Sequence, residues 1–209
     1  MTRAPILLIG AGGHARACVD VIEQEGRFAV VGLLGLSGEV GDTVLGYPVL
    51  GSNDDLRAIA ATVGRAIVSV GQIKSPQLRI ELFGALERVG CELPTIVSPL
   101  GYVSRHASVG AGTIVMHGAI VNAGATVGRN CILNSRSLVE HDSVVSDHCH
   151  ISTAAAVNSG VRIGTGTFVG SGATVRQGVT VGERCVIGMG QAVLADCPDG
   201  QRLPRQRSV

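Results

Sequence analysis

The sequence predicts two parts in series. A small α/β half-Rossmann domain with a parallel sheet occupies residues 1–95, a triangular parallel β-helix residues 96–197, and a tail residues 198–209. Three observations predict this. Aliphatic residues recur every six positions through the carboxyl-terminal half, and strand-like and helix-like runs alternate before it. A glycine-rich turn, Gly10-Ala11-Gly12-Gly13-His14-Ala15, joins the first strand run to the first helical one.

In the amino-terminal part, Ile6 to Ile9 is a buried-strand run. After the glycine turn comes a helical stretch with Ala17, Val21 and Ile22 on one face, then a strand run from Ala29 to Leu34. Ala66 to Val70 reads as another strand and Pro76 to Val89 as another helix. Strands alternating with helices imply a parallel α/β sheet. About 95 residues hold one βαβαβ unit, short of a full dinucleotide domain. The Gly10-x-Gly12-x-x-Ala15 spacing fits the fingerprint that admits a phosphate against a helix N-terminus. The acid that completes a nicotinamide site is missing, since Leu34-Gly35-Leu36-Ser37 stands in its place. A tight strand-to-helix turn is the competing reading, although His14 is an odd choice for turn geometry alone.

From Val97 onward, every sixth residue through Val193 is Val, Leu or Ile, without a slip of phase. Four residues after each stands a small one in nearly every repeat, among them Ala119, Cys131, Ser143, Cys149, Ala155, Thr167 and Cys185. Neither the helical nor the strand period produces this pattern. A six-residue unit with one bulky and one small slot makes one flat side of a prism, and three units make an 18-residue coil. The aliphatic side chain stacks inside, and the small residue fits a tight corner. Gly110, Gly128, Gly164 and Gly182, each directly after the aliphatic position, are expected at turns of unusual φ/ψ. Cys131, Cys149 and Cys185 fall in the small slot, where Cys acts as a compact hydrophobe.

Composition agrees with this plan. Of 209 residues 45% are hydrophobic yet only 2% aromatic, with three Phe, two Tyr and no Trp, so the core must be aliphatic. Thirty Gly against seven Pro is not the composition of a disordered chain. Seventeen basic and sixteen acidic residues give a net charge of +1, which with so few rings argues against a nucleic-acid surface. The mean hydropathy is +0.37, but the apolar stretches break well short of the ~20 residues a membrane span needs. The amino end is too short for a signal-peptide core, and the six Cys include no C-x-x-C pair. A cytoplasmic protein with reduced thiols is therefore expected.

Five of the six His fall in the repeats: His106, His117, His141, His148 and His150. Outward-facing positions carry them, so they are expected on the outer surface of the prism. His141 lies between Glu140 and Asp142. A carboxylate bonded to imidazole fixes its tautomer and raises its basicity, as a general base requires. Competing readings are a zinc site from His141, His148 and His150, an interface role for His106 and His117, and solvated surface histidines.

Together, the Gly-Ala-Gly-Gly-His opening, the repeats, and Asn134…Glu140-His141-Asp142…His150 resemble the hexapeptide-repeat sugar acetyltransferases. The resemblance is to the subfamily of the bacillosamine-pathway N-acetyltransferase and the sialic-acid O-acetyltransferases. It covers nearly the whole chain and implies a left-handed β-helix. It further implies a homotrimer with acetyl-CoA in a groove between neighbouring β-helices, and an acceptor sugar or nucleotide sugar held by the amino domain. No metal is expected.

The resemblance implies His141 as general base, with Asp142 holding it. Gly12, Gly13, His14, Gly71 and Asn134 would contact the acceptor. His150, Ser171 and Met189 would contact the cofactor, and His150 or a backbone N–H would steady the oxyanion. Two places differ from the family pattern. Gly35 and Leu36 stand where acids commonly follow the second strand, and the carboxyl end, with Arg202, Arg205 and Arg207, lacks a Gly-x-Pro-Ala closing motif. An amino group of a nucleotide-linked sugar is the expected acceptor. A sialic-acid hydroxyl, a non-catalytic assembly role and a nicotinamide enzyme are the alternatives.

Overall fold

A computed structural model describes residues 3–204. The amino-terminal part comprises β1 (Ala4–Ile9), α1 (Gly13–Glu25), β2 (Phe28–Gly35), β3 (Thr43–Val44), β4 (Tyr47–Ser52), α2 (Leu56–Val63), β5 (Ala66–Val68) and α3 (Gln77–Arg88). The sheet order is β3-β4-β2-β1-β5. Its pairs are parallel apart from the β3–β4 hairpin. β1, paired on both sides by β2 and β5, is buried on both faces. Ile6 and Leu8 join the cluster under α1, while Leu7 and Ile9 join the cluster under α2 and α3. On α1 the buried stripe is Ala15, Cys18, Val19, Val21 and Ile22, whereas Ala17 faces solvent. The hairpin and α2 had no counterpart in the sequence reading.

The β-helix has three parallel sheets of six, five and seven two-residue strands. Partners such as Ile120↔Leu138 and Ile132↔His150 lie 18 residues apart, one coil. The aliphatic and small slots share one continuous core, with Val121, Leu133, Val139, Cys149 and Ala155 all fully buried. Arg202–Leu203, in the stretch read as a tail, pairs with Val186–Ile187 as a last rung. Arg205 and Arg207 lie outside the described residues.

The glycines directly after the aliphatic slot have a different cause from the one expected. Left-handed backbone falls two residues later, at Gly112, Gly118 and Gly160 and also at Asn130, Asp142 and His148. Gly164 has no positive φ, but a Cβ there would lie 2.5 Å from the carbonyl carbon of Gly182 one coil away. The same close approach governs Gly110, Gly128 and Gly182.

One outer face of the prism is covered by the amino-terminal part. Ile96, Ile114 and Ile132 point out of the β-helix into the same core as Val19, Ile22 and Phe28. This docking builds the walls of the site.

Candidate active site

A cavity of about 1000 Å³ lies between the carboxyl ends of β1, β2 and β5 and the covered face of the β-helix. Eight predicted residues line it: Gly12, Gly13, His14, Gly71, Asn134, His150, Ser171 and Met189.

On the amino wall, β1 runs into the turn at Gly10. Gly10 has φ +118°, and a Cβ there would strike Val70 at 2.7 Å, so its glycine is a requirement of the fold. Gly12 and Gly13 differ, because a Cβ at either would meet nothing within 4 Å. Their small size leaves the start of α1 bare. Among the described residues the N–H groups of Gly12, Gly13 and His14 have no acceptor. Such a helix start attracts anions. His14 is held neutral, its pKa pushed down to about 3 by burial and then by Arg79 and His150. Its buried Nε2 has no partner within residues 3–204, and neither has the buried Oε1 of Gln72.

On the β-helix wall, His150 lies outside the prism yet is only 6% exposed, because the amino-terminal part covers it. The expected outer position is therefore correct for the β-helix alone and wrong for the chain. His150 Nδ1 is 2.6 Å from the Gln72 carbonyl, to which it donates, and Asn134 Nδ2 is 3.3 Å from its Nε2. Phe168 packs edge-on against the ring at 5.2 Å. Burial pushes its pKa down to about 4. A neutral ring with its proton on Nδ1 offers a lone pair at Nε2. In this tautomer Nε2 accepts the Asn134 amide at the cavity wall. Below it, Ser171 bonds Ser152 at 3.0 Å, and Met189 is exposed at the cavity's edge.

Arg79 is fully buried, and among the described residues no carboxylate pairs with it. Its guanidinium donates to the carbonyls of Val68 (2.8 Å) and Val70 (2.6 Å), and to the carbonyl (3.1 Å) and side-chain oxygen (2.7 Å) of Asn130. Burial lowers its pKa to about 10, still charged at neutrality. It ties the Ser69–Gln72 segment to the β-helix and so sets the Gln72 carbonyl against His150. Its signal in the sequence is a cation in register with Leu82, Phe83 and Leu86 on the buried face of α3.

A carboxylate does stand beyond β2. The short turn at Ser37–Glu39 folds Glu39 back, so that its Oε2 accepts the Leu36 N–H at 2.7 Å, and Glu39 lines the cavity. A Cβ on Gly35 would lie 2.6 Å from that oxygen. Gly35 is the room the acid needs, and the acid sought directly after the strand comes from further along the chain.

His141 and Asp142 lie elsewhere, at a corner between the two faces that the amino-terminal part leaves open. They line a separate depression of about 530 Å³ with Ser159, Gly160, Gln177 and Gly178, sharing no residue with the large cavity. His141 Nδ1 is 2.8 Å from Asp142 Oδ2, and its Nε2 is 2.9 Å from Ser159 Oγ. Asp142 takes left-handed φ of +61°, which turns its carboxylate back onto the preceding ring. With Nδ1–H given to the carboxylate, Nε2 carries the lone pair and accepts the Ser159 hydroxyl. Among the described residues the Ser159 N–H has no acceptor.

The three histidines considered for zinc do not converge. His148 Nδ1 faces Asn130 Nδ2 at 2.9 Å, while His141 and His150 have the surroundings just given. His117 bridges the two parts of the chain, between Ser98 Oγ at 2.6 Å and Asp20 Oδ2 at 2.7 Å, and His106 is exposed beside Arg105. All six Cys are free and buried. Burial pushes the Cys149 thiol well above its ordinary pKa, which removes it as a nucleophile.

Residues 5–85 match the model of the PglD N-terminal domain, and residues 160–195 match that of the hexapeptide repeat of succinyl-transferase. Curated protein sequences give no match. Among solved structures, PerB from Caulobacter crescentus, in complex with CoA and GDP-perosamine, is 31% identical with a TM-score of 0.86. That match covers 93% of this chain and 91% of the other. A mutant of perosamine N-acetyltransferase from Caulobacter crescentus, in complex with CoA and GDP-perosamine, is 30% identical over 95% of this chain and 92% of the other, with a TM-score of 0.88. The acetyltransferase domain of PglB from Neisseria gonorrhoeae, in complex with acetyl coenzyme A, is 29% identical over 96% of each chain, with a TM-score of 0.87. No helix among the described residues is long and apolar enough to cross a membrane.

Proposed function

The chain belongs to the hexapeptide-repeat sugar acetyltransferases, with their α/β domain and left-handed β-helix, and from that premise we propose that it moves the acetyl group of acetyl-CoA to the amino group of a nucleotide-linked sugar. The observation that carries the mechanism is His141 held by Asp142 at 2.8 Å, with its Nε2 lone pair on the Ser159 hydroxyl at the open depression, where the acceptor amine would take that hydroxyl's place. The neutral amine attacks the thioester carbonyl, its proton passes to Nε2, and CoA leaves as the thiolate. The carboxylate stabilises the imidazolium as it forms. The free Ser159 N–H, one coil beyond His141, is placed to meet the oxyanion.

The acceptor belongs in the large cavity. Bare N–H groups at the start of α1 suit its phosphates, and the partnerless polar atoms of His14 and Gln72 suit its sugar. Ser171 and Met189, one coil apart, suit the pantetheine arm. Within one chain His141 stands away from this cavity. A symmetric homotrimer, in which one protomer's His141 corner closes on its neighbour's cavity, unites the two halves. A solution mass of three chains is expected at micromolar concentration, and a monomeric mass would refute the composite site.

The direct test is release of CoA thiol from acetyl-CoA with GDP- and UDP-linked 4-amino sugars, then with free sialic acids. Turnover with a nucleotide-linked amino sugar is expected. Turnover with sialic acid alone would instead make the chain an O-acetyltransferase.

A further inference from the structure

The carboxylate that holds His141 is itself held by little. The Asp142 side chain is 74% exposed, its Oδ2 meets His141 Nδ1 at 2.8 Å, and among the described residues its Oδ1 has no hydrogen-bond partner. Two features aim it: the left-handed backbone of residue 142, and an empty place over Gly124, one coil away, into which Oδ1 reaches. A Cβ on Gly124 would overlap that oxygen and stand 3.4 Å from the carboxyl carbon. Backbone conformation alone does not require the glycine. Every sixth residue from Gly112 to Gly190 is left-handed, and Asn130, Arg136, Asp142, His148, Ala154 and Arg184 all hold that corner position with a Cβ. Nor does stacking require it, since Asn130 lies one 18-residue coil before His148, and Arg136 one coil before Ala154. What sets Gly124 apart is its neighbour, a carboxylate turned back across the corner onto an imidazole.

We infer that Gly124 is a positioning residue for the acetyl transfer: its missing side chain is the space that the Asp142 carboxylate occupies while it orients His141. This rests on the general base proposed above. A Cβ at residue 124 drives the carboxylate out of that space and off Nδ1. The ring is then free to turn and to exchange tautomers, so that Nε2 meets the acceptor amine with its lone pair less often. Gly124 touches neither substrate and acts only through Asp142.

A double-mutant cycle tests this, with release of CoA thiol from acetyl-CoA and a GDP- or UDP-linked 4-amino sugar as the readout. The proteins compared are the wild type, Gly124→Ala, Asp142→Ala, the double variant and His141→Ala. Gly124→Ala should lower kcat about 10–100-fold, as far as Asp142→Ala does, with the KM for acetyl-CoA unchanged. In the Asp142→Ala background the same substitution should cost no further activity, because no carboxylate is left to displace. The strain of a Cβ on left-handed backbone should lower the urea midpoint in both backgrounds, which separates stability from the chemical step. Gly124→Asn brings the same Cβ on a residue that accepts this backbone, and takes the place of Gly124→Ala if that variant does not fold. An unchanged kcat in Gly124→Ala, or an equal loss with alanine at residue 142, would overturn the inference and leave the general base standing. A wild type that turns over neither sugar, or a loss below tenfold in His141→Ala, would overturn both.

Discussion

Replacing His141 by alanine should lower kcat about 10²–10⁴-fold, the usual contribution of a positioned general base. The side chain is exposed and bonds only Asp142 and Ser159, so its loss should leave the fold and the KM for acetyl-CoA near their wild-type values. That split separates a role in the chemical step from one in binding. Asp142→Asn is the informative companion. Asn accepts the left-handed backbone that residue 142 adopts, so the corner should survive while the charge facing Nδ1 is lost. Its own loss of kcat should be smaller. In the double variant it should add nothing, because a carboxylate that acts through an imidazole has no function once the imidazole is gone. A fall of less than tenfold in His141→Ala would sink the assignment.

The β-helix was legible because each coil repeats its physical demands every 18 residues: an aliphatic side chain for the stack, and a small one for the corner. Sequence and space then run in step, and the phase of one repeat fixes the rest. The same arithmetic holds a consequence that reading along the chain conceals. His141 and His150 are nine residues apart, which is half a coil, so they point to different sides of the prism. Apparent neighbours in one motif become parts of two sites, joined only through a second copy in the proposed trimer.

What escaped the sequence reading depends on tertiary approach. Gly164 looks like a turn glycine but answers to the backbone of the coil beside it. The β3–β4 hairpin and α2 are too short to show a period. Arg79 and Glu39 matter for what folds against them. One is a cation on a buried helix face, visible as an anomaly. The other is an acid four residues beyond the strand end Gly35, returned to it by a turn that no local pattern announces.

Stability should fall steeply in mild acid, by about 4 kcal/mol between pH 7 and pH 5, from two residues of the site alone. His14 and His150 are driven down to about 3 and about 4 from an ordinary 6.5, in both cases first by burial, with Arg79 adding to it. The sign follows from where the protons go. Above pH 6.5 neither state binds them, and the two residues contribute no pH dependence. Between 6.5 and 4 the unfolded chain takes up two protons that the native one refuses, and stability drops toward a limit of about 2.7 kcal/mol per pH unit. Urea midpoints at pH 7, 6 and 5 measure this, and His14→Gln or His150→Gln should each remove about half of the slope. A midpoint unchanged from pH 7 to 5, or a slope that neither variant alters, would show that these rings are protonated in the native protein. For a domain with ~5–15 kcal/mol in total, the loss is a large fraction of the margin. The cavity keeps its imidazoles neutral, able to accept a ligand's hydrogen bonds, by the same burial that makes the folded state vulnerable to acid. Loss of activity below pH 6 should therefore follow the urea midpoint to the extent that it comes from unfolding around His14 and His150.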